Sequence, residues 1–342
     1  MRKHLPELDI FRAFFAWWVV ANHCITENWA LDIKVISARH IGFIEYVLRN
    51  GGWAVNGFII LSGFVIAKLI VEGKESYLPY ITRRFFRLYP VLIVCLLPSI
   101  FLLNPLSFNL WFWKAFLSHL LLIHGAIPDA FIHNGALAIL PPAWSLSLEW
   151  QYYLIAPFFV SFLWAVPKRI WYLVAVGICF LYGIFRFFGN VWPYGSFLPF
   201  KMTLFFIGVI CYRRWPSGWN YQIPKWTAPF QWLGKVSYST YLVHWPIIVV
   251  TYLCCKSWLQ NFSFLGGSAI MFCIAAPLTL LFSALLYHCV EKPGMSFGKL
   301  MARRLGNAKI PNVSGPAFFP SLLKDRKSPW VLQKGKETLR NP

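Results

Sequence analysis

The sequence predicts an all-α polytopic membrane protein, and three observations carry that prediction. Of its 342 residues, 58% are hydrophobic and only 13% charged, whereas a soluble domain carries about a quarter charged residues. Aromatic residues reach 19%, with 18 Trp and 32 Phe, and the mean hydropathy is +0.55. Long apolar runs recur along the chain, with cationic clusters between them. A water-soluble globule would have too few charges to cover that apolar surface. A soluble enzyme, a disulfide-rich secreted module and a disordered regulator are excluded.

A crossing needs about 20 mostly apolar residues. The first run, 10–25, follows a short basic start and has no small-x-small cleavage site behind it. It is expected to be a retained span and not a signal peptide. Further runs occupy 52–71, 88–103, 146–166, 170–188, 197–212, 239–255 and 264–290. The stretch 111–127 is also apolar but carries Lys114, His119 and His124. It fits a short span, a re-entrant segment or an interfacial helix. The expectation is a bundle of about 8–10 crossings, forming one transmembrane domain over 1–294 with a basic tail over 295–342.

Charge sets the expected sidedness. There are 32 Lys and Arg against 12 Asp and Glu, a formal net charge of +20. Arg2 and Lys3, then Lys68 to Arg87, Lys168-Arg169, Arg213-Arg214 and the tail alternate in a way that puts both termini in the cytoplasm. From Lys292 onward there are eleven basic and two acidic residues. That tail lacks the Gly-rich and aromatic features of nucleic-acid modules and reads as a juxtamembrane basic segment. The 8 cysteines lie in or beside apolar runs without metal-site spacing, so they are expected to be small hydrophobes, and no metal site is expected.

Ionisable groups inside spans cost about 2.5–3.5 kcal/mol each on insertion scales and point to function. Most of the acids, Glu291 among them, read as loop, rim or tail residues; Asp9 stands at the entry of the first span. Glu149 alone lies where an apolar run has begun, in Trp144-Ser145-Leu146-Ser147-Leu148-Glu149-Trp150. It fits a general acid/base or the orienter of a histidine, and equally an interfacial Glu snorkelling from a helix start.

Arg12 and His23 are eleven residues apart on the first span. That is almost three whole turns, so they share a face about 16 Å apart along the axis. Arg12 then lies near the inner rim and His23 well into the span, where an imidazole suits taking a hydroxyl proton near neutral pH. The alternative is a topology anchor and a core histidine bonded to a carbonyl. In Thr82-Arg83-Arg84-Phe85-Phe86-Arg87, Arg83 and Arg87 share a helical face suited to phosphates, and they also serve as positive-inside anchors. Small residues around Gly51-Gly52 and Ser62-Gly63 suggest close helix packing. His244, in Tyr241-Leu242-Val243-His244-Trp245-Pro246, reads first as packing.

These segments in this order resemble the acyltransferase-3 family of membrane O-acyltransferases. The resemblance runs from Leu8-Asp9-Ile10-Phe11-Arg12-Ala13 to His23, the family's Arg-x10-His pattern. It continues through Leu61-Ser62-Gly63-Phe64, Arg83 to Pro90, and Trp144 to Glu149. It ends with Gly234 to Pro246 and Val290-Glu291-Lys292-Pro293. In two places the chain departs from the family. Asn56 stands where the family often has an acid, and a Trp- and Pro-rich stretch, 215–233, replaces a usual span. The resemblance is to the stand-alone type, in which no fused esterase-like domain is expected.

The resemblance implies an acetyl or other short acyl group taken from acyl-CoA as donor substrate, with no bound cofactor. The acceptor would be a hydroxyl of a cell-envelope glycan, such as O-antigen (lipopolysaccharide) or exopolysaccharide, reached from the bacterial cytoplasmic membrane. By resemblance His23, Glu149 and Arg12 are the catalytic residues, and Arg83, Arg84 and Arg87 bind the acyl-CoA. Asn22, Ser62, Trp144, Ser145 and His244 are expected around the pocket. His23 would act as general base with Glu149 stabilising its imidazolium, or form an acyl-histidine. A transporter with an embedded Arg-His-Glu relay is the rival reading, although no repeated halves are visible.

Overall fold

The computed structural model describes residues 5–30, 42–73, 75–102, 108–192, 194–215 and 223–307. Arg2, Lys3 and the tail beyond 307 lie outside the described residues. In chain order the helices are α1 (Pro6–Ala30), α2 (Phe43–Arg49), α3 (Gly51–Glu72), α4 (Tyr77–Leu102), α5 (Leu110–Leu120) and α6 (Trp144–Ala165). They continue with α7 (Lys168–Phe187), α8 (Met202–Arg214), α9 (Ala228–Lys235), α10 (Ser237–Leu259), α11 (Phe264–Leu286) and α12 (Lys292–Asn307). A π-helical turn, Tyr287–Glu291, joins the last two. No strand occurs among the described residues, as the apolar-run pattern requires when every backbone group must be satisfied within its own segment.

Each expected run lies on a helix. Five helical segments are long and apolar enough to cross a membrane on length and composition alone: α3, α4, α7, α10 and the continuous stretch Gly266–Gly306. Helices α1 and α6 have 25 and 22 residues, which gives them comparable reach at about 1.5 Å per residue, but they carry the polar residues of the site. Helix α4 begins well before the expected start at 88, because the arginine segment is itself helical. Helix α8 has 13 residues after a 3₁₀ turn, Leu198–Phe200, about 20 Å in all. The Trp- and Pro-rich stretch contains the short helix α9.

The ambiguous stretch 111–127 does not form one helix long enough to cross a membrane. Helix α5 has only 11 residues, about 16 Å, and the chain then turns inward. Leu122 takes φ +55°, a left-handed conformation uncommon for a branched side chain, and its carbonyl accepts Ser147 Oγ at 2.8 Å. Ser147 Oγ also accepts the Gly125 N–H at 3.0 Å, and Ser196 Oγ donates to the Gly125 carbonyl at 3.0 Å. Hydroxyls from α6 and the 196 region thus pair backbone groups that no helix satisfies. Along this segment His119, Leu122, His124, Leu140 and Ala143 are buried.

Small residues set the helix spacing. A Cβ on Gly63 would lie 2.2 Å from the Phe205 carbonyl oxygen, and one on Gly208 would lie 2.1 Å from that of Ile60. Helices α3 and α8 therefore touch backbone to backbone. Gly234 of α9 meets the Asp9 carbonyl of α1 in the same way, at 1.9 Å. Helix α12 lays Gly294 and Gly298 on Pro90 and Phe86 of α4, so the packed bundle continues past residue 294. Long apolar side chains of α7, such as Tyr172, Val176 and Phe180, face outward, where lipid rather than protein would cover them.

Candidate active site

Helices α1, α3, α4, α6 and α10 enclose a cavity of about 130 Å³. Its charged lining is Arg12, Arg84, Arg87 and Glu149, and its polar lining includes Ser62, Ser145, Tyr153, Tyr238 and Tyr241. Phe58, Ile59, Val65, Leu88 and Phe205 supply apolar wall. The three arginines stand near the starts of α1 and α4, beside the first turn of α10. Ser62 and Ser145 lie further along the bundle. By the charge pattern of the loops, the arginine end is the one expected to face the cytoplasm.

Two of the arginines are built into ion pairs. Arg12 Nη1 donates to Asp9 Oδ1 at 2.8 Å, one turn earlier on the same helix, and Asp9 is 2% exposed. Arg87 Nη1 donates to Glu291 Oε1 at 2.6 Å, and its guanidinium lies over the Tyr238 ring, 5.4 Å from the centroid. The second carboxylate oxygen of Glu291 takes the Ser239 hydroxyl at 2.6 Å. Glu291 is therefore no rim residue: it is 1% exposed, turned inward by the wide π turn that carries it.

Arg84 differs. It lies 5.7 Å from the centroid of the Tyr153 ring, and its Nε is buried without a hydrogen-bond partner. Arg83 pairs with Glu75 instead and is not among the lining side chains. The spacings i,i+3 and i,i+4 both place arginines on one helical face. Here the acid on the turn before α4 takes Arg83, and Arg84 and Arg87 are left to the cavity.

Glu149 Oε1 accepts the Ser62 hydroxyl at 2.9 Å and the Tyr153 hydroxyl one turn along α6. Tyr241 OH lies 2.7 Å from Ser145 Oγ and donates to the Pro142 carbonyl at 3.2 Å. The Phe58 ring meets Tyr241 edge-on at 5.8 Å. The 3₁₀ turn Pro141–Ala143 leads into α6 here, so the start of α6 is bonded to the second turn of α10.

His23 of α1 and His244 of α10 form a pair with ring centroids 5.0 Å apart. His23 is half-buried and His244 fully buried. Tyr241 lies between this pair and the cavity, its ring 6.0 Å from that of His244. Asn22 Nδ2 donates to the Leu48 carbonyl at 3.0 Å, and its side chain is pressed against Gly51, fixing α1 to the start of α3.

Of the expected site residues, the fold brings Arg12, Arg84, Arg87, Glu149, Ser62 and Ser145 into one cavity and sets His23 beside His244. Arg83, Asn22, Trp144, His23 and His244 stand outside the lining. Sequence reasoning passed over Tyr153, Tyr238, Tyr241 and Glu291. Tyr153 was open to discovery as the i+4 neighbour of Glu149. Glu291 stands in a block that carries the resemblance, Val290-Glu291-Lys292-Pro293, but Lys292 and Pro293 beside it make it look like a rim residue.

A second buried imidazole pair lies apart from the cavity. The rings of His119 and His124 stack at 3.9 Å, 3° from parallel. Burial pushes the His119 imidazole down to about 4. Burial, with His119 alongside, holds His124 well below the ordinary histidine value. Both are neutral at physiological pH.

A family model described as an acyltransferase domain matches residues 5–218. The match takes in Arg12, His23, Arg84, Arg87 and Glu149 and stops before α9. An acyltransferase of Streptomyces mycarofaciens, MdmB, is 31% identical over 176 residues, half of this chain (50%) and 43% of that protein. A protein of Komagataeibacter xylinus named as membrane-bound transacylase BcsY is 23% identical over 375 aligned positions, 85% of this chain and 90% of the relative. The chain thus spans less than half the length of the Streptomyces relative and most of the Komagataeibacter one. No solved structure matches.

Proposed function

The chain belongs to the acyltransferase-3 family of membrane acyltransferases, and from that membership we propose that it moves an acetyl or other short acyl group from acyl-CoA to a hydroxyl of a cell-envelope glycan. The observation that carries the proposal is the cavity itself, with Arg12, Arg84 and Arg87 at one end and Glu149 on its wall. Guanidinium groups suit phosphates through bidentate, charge-assisted hydrogen bonds. Phosphates cannot enter hydrocarbon, so the nucleotide end of the donor stays at the arginine mouth while its thin pantetheine arm runs inward. Amide N–H groups on that arm suit the Glu149 carboxylate. The distance from Arg12 to His23, about 16 Å along one helix, is of the order of the arm's reach.

At the inner end His23 takes the proton from the acceptor hydroxyl as its oxygen attacks the thioester carbon. The new C–O bond forms, the C–S bond breaks, and the proton passes from His23 to the departing sulfur. General base help of this kind is worth about 10²–10⁴-fold. The test uses membranes carrying the full-length protein, radiolabelled acetyl-CoA and mass spectrometry of the envelope glycans. A mass increase of one acetyl unit, lost in His23→Ala with the protein still inserted, supports the reading. Full transfer by His23→Ala, or normal acylation with impaired glycan export, overturns it in favour of another base or of transport.

A further inference from the structure

The cavity has two unlike ends. Arg84 and Arg87 stand at one, and at the other Phe58 of α3, Ser145 of α6 and Tyr241 of α10 come together. Ser62, which donates to Glu149 at 2.9 Å, lies one turn from Phe58 on α3, about 6 Å nearer the arginines. The far end is rigid. The Tyr241 hydroxyl is held by Ser145 at 2.7 Å and by the Pro142 carbonyl at 3.2 Å. The Phe58 ring meets Tyr241 edge-on at 5.8 Å, and on its other side it meets Phe15 of α1 at 5.7 Å and 63°. Phe15 has no room to retreat toward α3, because a Cβ on Gly57 would lie 2.4 Å from its Cζ. Phe58 is thus wedged between rings from α1 and α10, and such packing yields little to added volume.

A donor whose phosphates stay at the arginine mouth brings its acyl group to the opposite end. We propose that Phe58 sets the acyl length there and restricts the donor to acetyl-CoA. The methyl of an acetyl group meets the Phe58 ring. Each further methylene adds about 1.3 Å to an extended chain, given C–C bonds of about 1.5 Å, and drives it into a ring that Phe15 keeps in place. Forcing extra methylenes into a filled site is penalised, and one methylene in a shaped apolar pocket changes specificity about tenfold or more. The inference rests on reading the cavity as the acyl-CoA channel, and narrows the donor from short acyl groups to the two-carbon one.

The test compares acetyl-, propionyl- and butyryl-CoA on the full-length protein by two readouts. One is binding to the protein in lipid nanodiscs by isothermal titration calorimetry, each constant divided by that for free CoA, which carries no acyl group. The other is competition among the three donors, in equimolar mixture, for the envelope glycans of membranes carrying the protein, with the attached acyl units counted by mass spectrometry. The parent should favour acetyl over propionyl by about tenfold or more, and over butyryl by a larger factor. Phe58→Leu should cut that preference about tenfold, and Phe58→Ala should cut it further. Phe58→Trp should sharpen it and weaken acetyl-CoA as well. A parent that takes butyryl as readily as acetyl overturns the proposal, as does a Phe58→Leu protein with the parent's preference. If the glycans take up no acyl group while the binding preference follows the residue at 58, the acceptor reading fails and the role of Phe58 stands. If neither free CoA nor any thioester binds the parent, the acyl-CoA reading fails and this inference falls with it.

Discussion

Arg87 and Glu291 are 204 positions apart in the chain, yet their side chains meet at 2.6 Å. The Glu291 side chain is wholly buried and that of Arg87 is 26% exposed. Helix α4 is thereby fastened to the junction of α11 and α12. Removing one partner of a buried pair leaves the other charge uncompensated, which costs about 3–5 kcal/mol. Glu291→Ala should therefore lower the melting temperature in detergent and the folded yield by size exclusion. Glu291→Gln, which keeps the Ser239 contact possible, should do less harm. Equal stability of Glu291→Ala and the parent would show that the pair contributes nothing.

The two neighbouring arginines should separate in kinetics. Arg84 lines the cavity with an unpartnered Nε, whereas Arg83 is engaged by Glu75. Loss of one charge-assisted contact to phosphate, about 1.5–3 kcal/mol, should raise the KM for acyl-CoA by roughly tenfold or more in Arg84→Gln. Arg83→Gln should change KM far less. The check is initial-rate kinetics with varied acyl-CoA, and a reversed order would place the phosphates elsewhere.

Helix spacing offers a test independent of chemistry. Gly63→Ala and Gly208→Ala each drive a methyl into a backbone oxygen, at 2.2 Å and 2.1 Å, and a backbone atom cannot swing aside as a side-chain tip can. Overpacking of this kind costs about 1–3 kcal/mol or more, so both variants should lose folded yield. Gly177 of α7 has nothing within 4 Å of a built Cβ. Gly177→Ala should express as the parent does, and parity of all three would refute the close α3–α8 contact.

The His119–His124 stack predicts a pH effect of definite sign. Burial lowers the folded-state value of His119 to about 4 and takes His124 well down, against about 6.5 in an unfolded chain. Below about 6.5 the unfolded state binds more protons than the folded one, so stability falls as pH drops from there toward 4. Thermal melts should decline steeply between pH 6.5 and pH 4, and His119→Gln should flatten that slope. A slope unaffected by the substitution would mean that other groups dominate the acid response.

The helices were legible because hydrocarbon-length apolar runs have few other uses, and the cationic loops between them mark the ends. Arg12, His23 and Glu149 stood out because each is expensive inside such a run. The inward turn after Leu122 was not legible: its polar backbone is satisfied by Ser147 and Ser196, and no period in the sequence announces such partners. The sorting of Arg83 from Arg84 was equally hidden, since either spacing fits one face and Glu75 decides. The Arg87–Glu291 and His23–His244 pairs join residues hundreds of positions apart, which one sequence alone does not reveal.

The five-residue widening at Tyr287–Glu291 acts as a phase correction between two stretches of one long rod. An extra residue inside a helix turns everything after it by about 100°. Deleting one residue there would restore regular winding and rotate α12 by that angle, carrying Gly294 and Gly298 off α4 and swinging the carboxylate away from Arg87. The last third of the chain, beyond the matched domain, thus sets the azimuth of an arginine at the mouth of the cavity.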